Sequence, residues 1–140
     1  MAGQIPLLIE SNGRNHSVPD HFETVSFFLK EADVASGDDL LLHICERETV
    51  VDSIYIRGED GDNNIQFAFK KAPDGTGIAS GQAFALAIGI AAETKKPATI
   101  DSLHNIIEAG SVIGVDITDP SSSTLDNVII TMRIRTRVSG

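Results

Sequence analysis

Tryptophan is missing from this 140-residue chain, tyrosine and cysteine occur once each, and methionine twice. A lone Cys45 can close no internal disulfide and build no thiolate zinc site, which excludes disulfide scaffolds and zinc modules. The apolar residues, 41% of the chain, come in short runs, well below the roughly 20 residues that one helical bilayer crossing needs. Bases are scarce: 11 Lys and Arg against 20 Asp and Glu leave a net charge of −9, which repels nucleic-acid phosphates and anionic membranes. The opening MAGQIPLLIESNGRN lacks the basic start, long apolar centre and small-residue cleavage site of a signal peptide, so export by that route is not expected. The remaining composition is too apolar for a disordered chain and has the length of one domain. It implies one acidic globular domain built on a single core.

What the chain does have, from Val50 onward, is hydrophobic alternation with a period of two, the mark of strands with one face in a core. In the last strand, Val128, Ile130, Met132, Ile134 and Val138 fall on one face, while Thr131, Arg133, Arg135 and Arg137 fall on the other. Ile65, Phe67 and Phe69 give a second inward set, Phe84, Leu86, Ile88 and Ile90 a third, and Ile113, Val115 and Ile117 a fourth. Residues 50–57 are apolar on both faces, as in a strand that is central or interfacial. Residues 24–30 and 40–45 complete seven strands, separated by segments rich in Gly, Asn, Asp and Pro at 58–64, 72–81, 93–98 and 118–127. Leu103, Ile106 and Ile107 share a helical face, so residues 100–109 read as a short helix or a turn. The expected fold is all-β: a single antiparallel β-sandwich, jelly-roll-like, over residues 23–140, preceded by an extended N-terminal arm at 1–22.

Each constellation that could carry chemistry has a plainer reading. His43 and Cys45 stand two apart on one strand and point in parallel, with nothing placed to orient the imidazole, so Cys45 reads as a buried small thiol. Asp60, Asp62 and Asn64 have the first spacings of a calcium loop. Ile65 and Lys71, however, stand where that loop needs its glycine and its bidentate glutamate. An exposed acidic hairpin tip is expected there, with a weak cation site as the alternative. The DGTG run at 74–77 has no following Gly-Lys-Ser/Thr and reads as a turn. His16, His21, His43 and His104 are too scattered for a metal centre, and no serine elbow is present, so no enzyme activity and no cofactor are expected.

Two features point to binding instead. Arg133, Arg135 and Arg137, half of the chain's arginines, repeat along one face of the last strand, where like charges need compensation. Acids on neighbouring strands, Asp52 and Asp116, could supply it, and so could an acidic partner surface, since the guanidinium fork suits carboxylates. The arm carries Ile5, Leu7, Leu8 and Ile9, apolar residues that need a cover.

The order of these elements resembles tailed-phage capsid decoration (cement) proteins, small structural proteins that bind outside an assembled head. The run VSFFLKEADVASGDDLLLHICERETVVDSIYIRG carries the likeness. It continues through NIQFAFKKAPDGTG, AFALAIGI and ATIDSLHNIIEAGSVIGVDITD to the closing NVIITMRIRTRV. The resemblance implies a structural protein on the capsid surface of the virion, made in the host cytoplasm. It also implies the major capsid protein as partner, assembly as a homotrimer, and no nucleic-acid or membrane partner. A fibre-tip or carbohydrate-binding module is the second expectation, although sugar sites stack pyranose rings on aromatic faces and this chain offers only Tyr55.

Overall fold

A strand with one apolar face must lay that face on another layer, and here two sheets do so for each other. The computed structural model describes residues 21–30, 40–118, 125 and 127–136. Among them the strands are, in chain order, β1 (His21–Leu29), β2 (Leu40–Ile44), β3 (Thr49–Arg57), β4 (Asp62–Ala72) and β5 (Gln82–Ile90). Three two-residue strands follow, β6 (Lys96–Pro97), β7 (Thr99–Ile100) and β8 (Ile106–Ile107), and then β9 (Val112–Thr118) and β10 (Val128–Thr136). One sheet has the order β1-β10-β3-β6, with β8 also on β3, and the other β2-β9-β4-β5-β7. All pairings are antiparallel. With the broken segment 96–107 counted as one strand, the eight strands lie in the orders 1-8-3-6 and 2-7-4-5, the wiring of a jelly roll. The all-β sandwich expected from the sequence is therefore the fold.

The core lies between the sheets. Val128, Ile130, Met132 and Ile134 of β10 enter it from one side, and Ile65, Phe67 and Phe69 of β4 with Ile113, Val115 and Ile117 of β9 from the other. β3 is central in its sheet between β10 and the β6/β8 segment, but only one of its faces is apolar throughout: Val51, Ile54 and Ile56 are buried, whereas Asp52 and Arg57 are exposed. The β3–β10 register shifts between Arg133 and Ile134, so that Asp52 has no partner of its own in the ladder. This bulge turns its carboxylate outward.

One expectation is corrected, and one left open is decided. In β5, Leu86 and Ile88 face solvent, whereas Phe84, Ala85, Ala87 and Ile90 are buried. The β4–β5 register slips on both sides of the central stretch. At one slip Phe84 is unpaired, so Phe84 and Ala85 both turn inward. At the other, Gly89 takes φ +75, a left-handed conformation that swings Ile90 back to the core. Between the slips, Phe67 lies beside Ala87 and Phe69 beside Ala85, large against small. Of the short helix or turn expected over residues 100–109, the turn is what forms. Asp101 Oδ1 accepts the Leu103 N–H at 3.0 Å, and the His104 N–H donates to the Asp101 carbonyl at 3.0 Å, closing a turn. Leu103 is 85% exposed at its tip, and the chain then re-enters the sheet as β8, where Ile107 is buried against β3.

Candidate interaction surfaces

The outer face of the first sheet is built by the residues that alternate with the core set. Ladder pairing places Phe22 beside Arg135, Thr24 beside Arg133, Ser26 beside Thr131 and Phe28 beside Ile129, with Ser53, Tyr55 and Arg57 on the β3 side. The Ser26 and Thr131 hydroxyls are 3.3 Å apart across the strands. Phe22 and Phe28 stand 57% and 76% exposed at the two ends of β1, which has no strand on its outer edge among the described residues.

The arginine stripe is compensated in part. Arg135 Nε donates to both carboxylate oxygens of Asp52, at 3.0 and 2.9 Å, so one of the two acids expected to balance the stripe does so. Asp116 does not. It lies on β9 in the other sheet, and its carboxylate faces Lys70 Nζ at 3.5 Å. Period-two reading could place Asp116 outward but could not tell which sheet it was on. Arg133 is exposed and has no ion pair among the described residues. Arg137 and the arm residues Ile5, Leu7, Leu8 and Ile9 lie outside the described residues.

A second surface follows from the turning-out of Leu86 and Ile88. These side chains, 41% and 50% exposed, floor a groove of about 680 Å³ whose wall is the segment from Lys96 to Asp101, with Pro97 and Ile100 as its apolar members. Asp101 is already engaged there. Its second oxygen lies 2.7 Å from His104 Nδ1. The hydrogen bond from His104, and secondarily that from the Leu103 N–H, holds the carboxyl below its ordinary 3.8. Sequence reading missed this pair, although an Asp three residues before a His is the spacing that a turn brings together.

The remaining candidates settle into structural roles. Cys45 is buried in the core cluster, its N–H on the Ser111 carbonyl at 2.9 Å. Burial pushes its thiol up, and a hydrogen bond with Thr49 opposes the shift. His43 lies on the wall of a hollow of about 600 Å³ with His21, Glu23 and Glu46. Among the described residues no three His, Cys, Asp or Glu side chains gather as a metal site. In the hairpin at 60–64, Asp62 Oδ1 accepts the Asn64 N–H at 2.8 Å, a turn contact within the chain. In the DGTG segment the Thr76 N–H donates to Pro73 at 3.0 Å, with Gly75 at φ +86, which makes it a turn as expected. Tyr55 has Lys95 Nζ over its ring, 4.2 Å from the centroid, so that face is not open to a sugar.

No protein family matches the sequence, and no curated protein matches it. Among solved structures, the chain is similar to one from "Cyanophage Pam1 capsid asymmetric unit", with a TM-score of 0.42 and 13% identity over 96% of this chain and 97% of that chain.

Proposed function

We propose that this protein is a non-enzymatic virion component that docks through the outer face of its first sheet onto the exterior of a phage head and ties neighbouring capsid subunits together. The observation that carries the reading is the company Arg133 keeps: an arginine without an ion pair among the described residues, between Phe22 and Phe28 exposed on the adjacent edge strand. Aromatic residues and arginine are the types that concentrate binding energy at protein interfaces, and solvent is a poor environment for two exposed phenylalanines. A partner surface with carboxylates for Arg133 and a hollow for each ring fits this face. The pattern-level resemblance to capsid cement proteins supports the same reading and adds the expectation of a closed homo-oligomer, a trimer on a local threefold axis.

Co-sedimentation of the purified protein with empty capsids tests it. Wild-type protein is expected to pellet with capsids. Arg133→Glu and Phe28→Ala are each expected to weaken binding roughly tenfold or more, the scale of hot-spot truncation. Both positions are exposed, so the melting temperature should hold. A wild-type protein that sediments as a monomer and leaves capsids bare would overturn the proposal.

A further inference from the structure

We propose that the groove on the outer side of β5 receives residues Ile5–Ile9 of a second copy, laid along it as an extended segment. The inference deepens the assembly reading above and rests on it for the choice of a neighbouring copy over the chain's own arm. Three observations lead to it.

The first is the shape of the receiver. The two register slips in β5 turn Leu86 and Ile88 outward at a spacing of two residues. On its outer side β5 is paired only at Ala85 and Leu86, by the two-residue strand β7, so the edge beyond Leu86 carries no strand among the described residues. An apolar pair at strand spacing beside an open edge is a template for another extended chain.

The second is the chemistry of the donor. Ile5, Leu7 and Ile9 share one face of an extended segment, at the same two-residue spacing as Leu86 and Ile88. A residue before proline is biased toward extended backbone, as Ile5 is by Pro6, and a proline, lacking an N–H, suits a strand with only one partner. Glu10 follows directly. Of the two charged residues on the groove wall, Asp101 is held by His104 and the Leu103 N–H, which leaves Lys96 to face an acid. An apolar segment ending in a carboxylate matches an apolar floor with a lysine at its wall.

The third is reach. The twelve residues from Glu10 to His21 span about 40 Å when extended, at roughly 3.3–3.6 Å per residue. That is enough to leave one sandwich at β1 and cross to the neighbouring one. In a closed ring each copy then gives one arm and receives one, and no groove or arm remains uncovered.

The test uses full-length protein in a Cys45→Ala background. One preparation carries Leu7→Cys and another Ile88→Cys, and the two are mixed and oxidised. A covalent dimer on a non-reducing gel is the expected result. Leu7→Cys mixed with Thr24→Cys, a position on the opposite outer face, is expected to give none. Separately, Ile88→Asp should shift the sedimentation coefficient toward that of the monomer with an unchanged circular dichroism spectrum, because position 88 is half exposed. Mixed preparations that give no dimer, while a chain carrying both cysteines closes on itself, would overturn exchange between copies. Absence of any cross-link together with unchanged sedimentation of Ile88→Asp would overturn the groove as receiver. Capsid co-sedimentation of the same variants separates this from the docking reading. A cross-linked protein that ignores capsids refutes docking alone, and a capsid-binding protein without the cross-link refutes arm exchange alone.

Discussion

Gly114 gives the sharpest handle on how the loop between β4 and β5 is held. It sits on the outer parity of β9, opposite Lys70 on one side and Leu41 on the other. The 3-10 turn Ile78–Ser80 folds over it, placing the buried Ile78 side chain against its Cα. A Cβ at position 114 would lie 2.6 Å from Ile78 Cγ1, 2.8 Å from Cδ1 and 2.7 Å from the Leu40 carbonyl oxygen, closer than van der Waals contact allows. Gly114→Ala must therefore displace Ile78, shift β2, or both. Overpacking of this kind costs about 1–3 kcal/mol, and pushing a buried isoleucine toward water adds up to about 1.5–3 kcal/mol. Alanine in place of glycine in a strand recovers roughly 0.5–1 kcal/mol, so a net loss of about 2 kcal/mol is expected. For a domain of this length that is a fall in Tm of roughly 6–8 °C, readable by calorimetry or as a lower urea midpoint at constant slope. Ile78→Ala removes the obstructing atoms, so the double variant should be more stable than the sum of the single changes implies, by about 1 kcal/mol or more. A Gly114→Ala protein with wild-type stability would refute the packing argument. Strict additivity would move the clash from Ile78 to the Leu40 carbonyl.

The Asp101–His104 contact predicts an acid-side signature. A folded carboxyl held below its ordinary 3.8 contributes stability that is fully present above that value and is lost as pH falls through the folded value. Asp101→Asn should therefore lower the urea midpoint at neutral pH and converge on wild type as pH drops below the ordinary carboxylate range. A gap that does not change with pH would show that the pair does not act through this titration. Cys45, buried and with its thiol pushed up from 9.0, should react slowly with a thiol-specific dye at pH 8 in the native protein and promptly in urea. Rapid labelling of the folded protein would contradict its place in the core.

Most of the architecture was legible because alternation reports burial directly. Val128 to Ile134 of β10 and Ile113 to Ile117 of β9 fall where their period places them. The reading fails in β5, where four large apolar residues at alternate positions make Leu86 and Ile88 look like core. Burial there is decided by two register slips against β4, and pairing between strands leaves no trace in the spacing of one strand. Gly89 was the available hint, since an isolated glycine within a strand pattern often marks a bulge. The Arg135–Asp52 pair was within reach of sequence and the Asp116 assignment was not, for the same reason: alternation tells inside from outside but not one sheet from the other. In residues 100–109, the spacing of Leu103, Ile106 and Ile107 fits a helix. The Asp101 carboxylate instead accepts local donors and closes a turn, the competition that makes Asp a poor helix-interior residue.

The outward turn of Leu86 and Ile88 bears on why this sandwich would assemble. Here the two outer faces differ in kind. The first sheet shows an arginine between phenylalanines and the second an apolar groove beside an open strand edge. Arg133 and the phenylalanines lie on β10 and β1, whereas the groove runs along β5 with β6 and β7 as its wall, on the far side of β3, so the two surfaces can be occupied at once without competing. On the proposed reading the groove side would be taken up by the arms of sister copies and the arginine side would be left for the capsid. That division makes a specific demand. Ile88→Asp should disperse the oligomer while each released copy keeps a weak affinity for capsids, and Arg133→Glu should weaken capsid binding roughly tenfold or more while leaving the oligomer whole. Several weak contacts tied into one closed ring bind far more tightly than any of them alone, so dispersal should cost much more capsid affinity than the change at position 88 could cost directly. An Arg133→Glu protein that also falls apart into monomers would mean that the two faces form one continuous site.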